Sequence, residues 1–310
     1  MRIPATWTSL LLAPTLALAQ QAPTPKWQIE AGPKQRFEVA SIRQNKTRDQ
    51  PSSNVPLTVG ASYSTTGGIF TAKNASLLAY ILFAYKIPVS ELHDQLRSWP
   101  QWVITDRFDI QAKSDNQNPT KDQMRLMMQS LLEDRFKLVV HREARPTPVF
   151  SLSLAKLERT GPQLQPHTTE SPCQPIPPTG LVHPSNANTD SVASLLGKWP
   201  TACAEGDEIW SQRRVRAGGR DMTMEEITAW LTGAGDLDLL LQNRTGLKGN
   251  YDFIIDFAPE PDPSNNNTSP DSSQPSFREA LKDQLGLLIK KEQGSAVLFI
   301  IDHVEHPSKN

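Results

Sequence analysis

The strongest constraint on this chain is a repetition within it. An amphipathic segment opening at Thr120-Lys121-Asp122-Gln123 has a counterpart opening at Ser276-Phe277-Arg278-Glu279. Their stripes match position for position: Met124, Met127, Met128, Leu131 and Leu132 against Phe277, Ala280, Leu281, Gln284 and Leu285. Such spacing is that of a helix with one apolar face. A second pair of helices repeats Leu78, Ile81 and Leu82 as Ile227, Trp230 and Leu231, and Asp109 of "TDRFDIQA" recurs as Asp252 of "KGNYDFIID". Two long units argue against a solenoid, which stacks several short ones. The pattern predicts an α+β fold of two related halves, an internal duplication in which each half packs helices on a mainly antiparallel sheet.

Local signals refine this. Thr120/Gln123, Thr223/Glu226 and Ser276/Glu279 each fit the capping box, in which two side chains satisfy orphan helix-end N–H groups reciprocally. The fourth helix is expected to open at Asn74, a good N-cap residue. "FKLVVHRE" and "PVFSLSLAK" in the first half, and "LGLLIKKE" and "AVLFIIDHV" in the second, read as two strands each. "FEVASIRQN" and "WSQRRVRAG" are expected to add a strand to the first and second sheets. The halves fall at 37–160 and 206–310, after a flexible segment at 20–36. Between them, 161–205 reads as a linker because its many prolines lack N–H donors. The polar run 258–275 reads as a disordered loop inside the second half.

Residues 1–19 combine one Arg, a short apolar run and the triplet Ala17-Leu18-Ala19, the form of a secretory signal peptide. The expected location is periplasmic or extracellular. In such an oxidising compartment the two cysteines, Cys173 and Cys203, are expected to pair. Lys plus Arg number 32 against 33 Asp plus Glu, so no global field gathers phosphate backbones, and nucleic acid is not an expected partner. The expected partner is an unknown protein or envelope component, with no transmembrane segment in the mature chain.

Candidate chemistry is sparse. Asp109 and Asp252 admit two readings: paired carboxylates at a pseudo-symmetric cleft, or inherited structural residues whose neighbours Phe108, Ile110, Tyr251 and Phe253 face the core. The second is adopted, since neither copy supplies another carboxylate at fixed spacing. Arg213, Arg214 and Arg216, with Arg220, form the dense basic patch and could grip an anion through bidentate hydrogen bonds. Trp99 and Trp102 could stack on a ligand or cover a core edge. Asp302-His303-Val304-Glu305-His306 offers metal-ligand types without a third cluster to complete a shell, and reads as a solvated tail. With no nucleophile elbow, zinc-binding helix motif or phosphate loop, no catalytic residue, metal or cofactor is expected.

"FEVASIRQN", "LLEDRFKLVVHRE", "TGLKGNYDF" and "IDHVEHPSKN", in that order, resemble an uncharacterised soil-associated secreted protein family expanded in acidobacteria. The resemblance runs from about Phe37 to the C-terminus. Related domains of that family are joined to membrane metallopeptidases of the antibiotic-sensor type. This implies work outside the membrane, such as sensing, and carries over no catalytic residue. The expected function is an exported, non-enzymatic binding, sensing or interaction protein. One rival is a secreted hydrolase acting on envelope or extracellular polymer, with Asp109, Asp252 or His141 converging in a cleft. The other is an envelope assembly module that pairs through a sheet edge.

Overall fold

The computed structural model describes residues 20–92, 95–169, 173, 200, 202–210, 214–259 and 274–307. The elements run β1 (Gln20–Gln21), α1 (Lys26–Glu30), β2 (Val39–Asn45), β3 (Ser52–Ser53), β4 (Ile69–Ser76), α2 (Leu77–Tyr85), α3 (Gln101–Thr105), β5 (Arg107–Lys113), α4 (Lys121–Phe136) and β6 (Val139–Leu154). They continue with β7 (Leu164–Pro166), β8 (Glu205–Trp210), β9 (Val215–Thr223), α5 (Met224–Ala234), β10 (Leu241–Asn243), β11 (Asn250–Phe257), α6 (Phe277–Ala280) and β12 (Leu287–His303). A π-type turn, Leu281–Leu285, extends α6. The fold is α+β, as expected, and its helices pack on antiparallel sheets.

One four-stranded antiparallel sheet has the order β2-β5-β4-β3 and another the order β7-β11-β9-β8. Each therefore places its strands in the same sequence-relative positions. Alternation sets which face is buried: Phe108, Ile110 and Ala112 of β5, and Tyr251, Phe253, Ile255 and Phe257 of β11, point to their cores. The first core gathers this sheet with α2 and the stripe of α4; the second gathers its sheet with α5 and the turns after Ser276. All three capping boxes form with both reciprocal bonds.

Two expectations are corrected here. The fourth helix opens at Ser76, whose hydroxyl accepts the Ala79 N–H, whereas Asn74 sits in β4 with φ of 53°. The four runs read as two strands in each half are instead two long strands, β6 and β12, which pair with each other from Leu154↔Leu287 to Val139↔His303. Pro146 and Pro148 do not interrupt β6, because β1 and β10 border its other edge only at residues 143–144 and 150–152. Among the described residues 145–149 have no second strand beside them, so no ladder bond is lost to the missing N–H groups.

This ribbon interlocks the halves. β12 leaves the second core at Leu287 and delivers Phe299 to the first, where its ring lies 4.8 Å from Tyr85 and 6.1 Å from Trp99. β6 runs the other way and contributes Phe150 and Leu152 to the second core. The stretch 161–205 is also not a linker throughout: Leu164–Pro166 is the edge strand of the second sheet. Its proline is tolerated there because an edge strand has one unpaired side. Cys173 and Cys203 form the expected disulfide. Residues 1–19 and 260–273 lie outside the described residues, and with them the leader and most of the 258–275 loop. No described helix is long and apolar enough to cross a membrane.

Candidate functional site: a cleft between the two halves

The contact between the halves is built around loop residues 57–60. Gly60 meets the start of β8 so closely that a Cβ there would lie 2.0 Å from the Ala204 carbonyl oxygen and 2.5 Å from Glu205 Oε2. Only glycine permits that approach. On the other side of the loop stand Lys121 and Arg125, one turn apart on α4 and both buried. Arg125 Nη2 lies 3.0 Å from each of the carbonyl oxygens of Thr58, Val59 and Gly60, and Nη1 donates to Asp122. Its guanidinium also covers the Phe83 ring at 5.4 Å, and its Nε has no partner among the described residues. Lys121 Nζ donates to the Gly60 oxygen at 2.7 Å and to Thr58 Oγ1 at 3.2 Å. Thr58 Oγ1 in turn donates to Glu205 Oε2 at 2.9 Å, which carries the network into the second half.

Burial sets the electrostatics of this network. Desolvation and then the Arg125 charge push the Lys121 amine down to about 7, against the pull of Glu205. Burial raises the Glu205 carboxyl above its ordinary value, with Lys121 opposing. The Lys121 shift has a sign that can be measured. An unfolded lysine keeps its proton up to the ordinary value of 10.5, while the folded one releases it near 7. Between those values the unfolded chain binds more protons, so this group makes stability rise with pH, by up to about 1.4 kcal/mol per pH unit. Urea unfolding at pH 7, 8 and 9 should therefore give a steeper rise for the natural chain than for Lys121→Met. Equal slopes would contradict the assignment.

In front of this network opens a cleft of about 390 Å³. Its walls come from both halves: Leu57, Ile87 and Val89 from the first, Met222, Ala229 and Trp230 from the second, with carboxylates of β8 and α5 among them. Gly206 of β8 lies against the Trp230 indole, where a Cβ would sit 2.3 Å from Nε1. Trp230 also meets Phe253 edge-on at 5.8 Å, so the wall is continuous with the second core. Lys121 stays behind the loop and out of the lining.

The residues singled out in the sequence lie elsewhere. Asp109 Oδ1 accepts the Asn74 N–H and the Asn45 side-chain amide, while Asp252 Oδ1 accepts the Asp221 N–H and lies 2.7 Å from His167 Nδ1. His141 pairs with Asp302 on the ribbon. None of these three lines the cleft. Trp99 is buried in the first core, and Trp102 is stacked on His306 at 4.0 Å, so neither offers an open ring face of the kind expected. The side chains of Asp302, His303, Glu305 and His306 are exposed, as expected of a solvated tail, while the Glu305 N–H donates to the Phe136 oxygen and holds the segment against the first half. Arg213 lies outside the described residues. Arg214 and Arg216 converge on Asp256, Arg216 in a bidentate pair at 2.7 Å for each bond. Burial works against the Asp256 charge, but hydrogen bonds from Arg216 and Arg214 outweigh it and hold the carboxyl below its ordinary value. The expected anion grip is thus already engaged by an internal carboxylate. His167, Cys173 and Asp221 place one ligand atom each within 4.8 Å of one another, but that cysteine is in the disulfide.

Fold and cleft together define an α+β protein of three sheets with a largely apolar cavity between its halves. The family model described as "Protein of unknown function (DUF3738)" matches residues 78–304, and the chain belongs to that family. The match takes in α4 and the second-half wall, while loop 57–60 precedes it. No curated protein and no solved structure matches the chain.

Proposed function

We propose that this chain is an exported binding protein that holds a small, largely apolar molecule between its two halves. The cleft carries the reading: its volume of about 390 Å³ lies in the range of small-molecule sites, and its walls are mostly apolar with a few convergent polar groups. A binding role is favoured over hydrolysis because the perturbed amine of Lys121 faces the loop backbone, while Asp109, Asp252 and His141 belong to separate hydrogen-bond sets. Support for export comes from the leader-like residues 1–19 and from the disulfide. The resemblance to secreted soil-associated proteins agrees with this. The equal strand orders of the two sheets support descent by duplication, with the ligand taken up at the junction of the copies.

Gly233 supplies the test. It lines the cleft from α5, and a Cβ there would meet nothing within 4 Å. Gly233→Leu should place its side chain in the cleft, with its Cβ in open space, and replacing a helical glycine favours folding by up to about 1 kcal/mol. Titration with the neutral solvatochromic dye prodan should give one blue-shifted site per chain in the natural protein. In Gly233→Leu the affinity should be at least about tenfold weaker. Absence of a site, or equal binding by both proteins, would overturn the proposal.

A further inference from the structure

The polar part of the cleft has one sign. Glu205, Asp207, Glu208 and Glu226 line it, and among the described residues no Lys, Arg or His does. The two buried basic side chains of α4 are directed away from the space: Lys121 toward Gly60 and Thr58, Arg125 toward the carbonyls of residues 58–60 and Asp122. The bonds seen at two of these carboxylates also leave acceptor capacity. Glu205 accepts from Thr58 through Oε2, and Glu226 accepts from the N–H and hydroxyl of Thr223 through Oε2, whereas an ionised carboxylate can accept about four bonds.

An apolar chamber whose charged groups are all acceptors discriminates by head group. An anionic ligand would meet like charge at short range, and a neutral alcohol could offer one donor. An ammonium offers three donors and the opposite charge, next to an indole that lines the same wall. The mutual repulsion of Glu205 and Glu226, which helps to raise the Glu205 carboxyl, is relieved by a cation placed beside them. Resting on the reading of the cleft as a ligand site, we infer that its ligand is an apolar molecule bearing a cationic amine, the hydrocarbon part between Ile87 and Trp230 and the ammonium among the carboxylates.

Three probes with the same tail test the head group: n-octylamine, 1-octanol and octanoate, each used to displace prodan at pH 7.5. The amine should compete at a concentration at least about tenfold below that of the alcohol, and octanoate should be the weakest of the three. Glu205→Gln and Glu226→Gln should each lower the amine-to-alcohol ratio, a quantity that a mere loss of folded protein leaves unchanged. Octanol or octanoate competing as well as octylamine would overturn the inference while leaving the cleft reading intact. An unchanged ratio in both variants would also overturn it. Failure of prodan to bind, or to be excluded by Gly233→Leu, would instead remove the cleft reading itself.

Discussion

Arg125→Met should cost about 3–5 kcal/mol of stability, the range for removing one partner from a buried ionic network. The guanidinium is wholly buried, and three successive carbonyl oxygens of loop 57–60 depend on its Nη2. Methionine keeps most of the apolar contact with Phe83 but supplies no donor, so the Thr58 and Val59 oxygens lose their charge-assisted partner, the Gly60 oxygen is left to Lys121, and Asp122 is left to the Lys86 amine at 4.0 Å. Lysine should not rescue, since one ammonium on a flexible stem cannot reproduce the planar fork that reaches both Asp122 and the loop. Because this loop walls the cleft, prodan binding should weaken in step with stability. Urea unfolding measures the first effect and dye titration the second. A cost below about 1 kcal/mol would show that the loop does not rely on the arginine.

That network illustrates how far the sequence could be read. Lys121 and Arg125 continue the helical face of Met128 and Leu132, so two cations on an otherwise apolar stripe were visible in the letters. What they grip was not, because loop 57–60 lies more than sixty residues away and has no signature beyond its glycine. Local rules did best where the physics is local. The three capping boxes and the apolar faces of β5, β11 and α4 all follow from nearest-neighbour spacing and formed as expected. Strand pairing is a different matter, since the partner that turns Val139–Leu154 into one long strand arrives only with Leu287–His303. Pro146 and Pro148 are accommodated because β6 has no second strand beside them, and the sequence does not say which edge of a strand is free. Arg214 and Arg216 looked available for the same kind of reason: their carboxylate, Asp256, is forty residues further on. The cleft depends on two close approaches, of Gly60 to the Ala204 carbonyl and of Gly206 to the Trp230 indole, and no periodicity records that.

Asp109→Ala combined with Asp252→Ala should lower stability by about 4–6 kcal/mol, as the sum of two similar losses of about 2–3 kcal/mol each. Both residues sit on the second strand of their sheet, β5 or β11, and do the same work there. Each Oδ1 accepts the backbone N–H of a neighbouring residue held at positive φ, Asn74 at 53° on β4 and Asp221 at 54° on β9. Each pairing also shifts register beside that residue, between Ala72 and Ala75 in one sheet and between Tyr251 and Phe253 in the other. A bulged residue leaves its N–H out of the ladder, and the carboxylate replaces the missing partner. The same oxygen also binds a donor from the opposite side, Asn45 Nδ2 in the first sheet and the His167 ring in the second, so one aspartate fastens two neighbours. Since the two sets share no partner, the single losses should add within about 0.5 kcal/mol. Urea unfolding of both single variants and the double variant decides the matter. A loss confined to one site would mean that the equal letters in the two halves carry unequal mechanical roles, and the correspondence between the sheets would then stop at strand order.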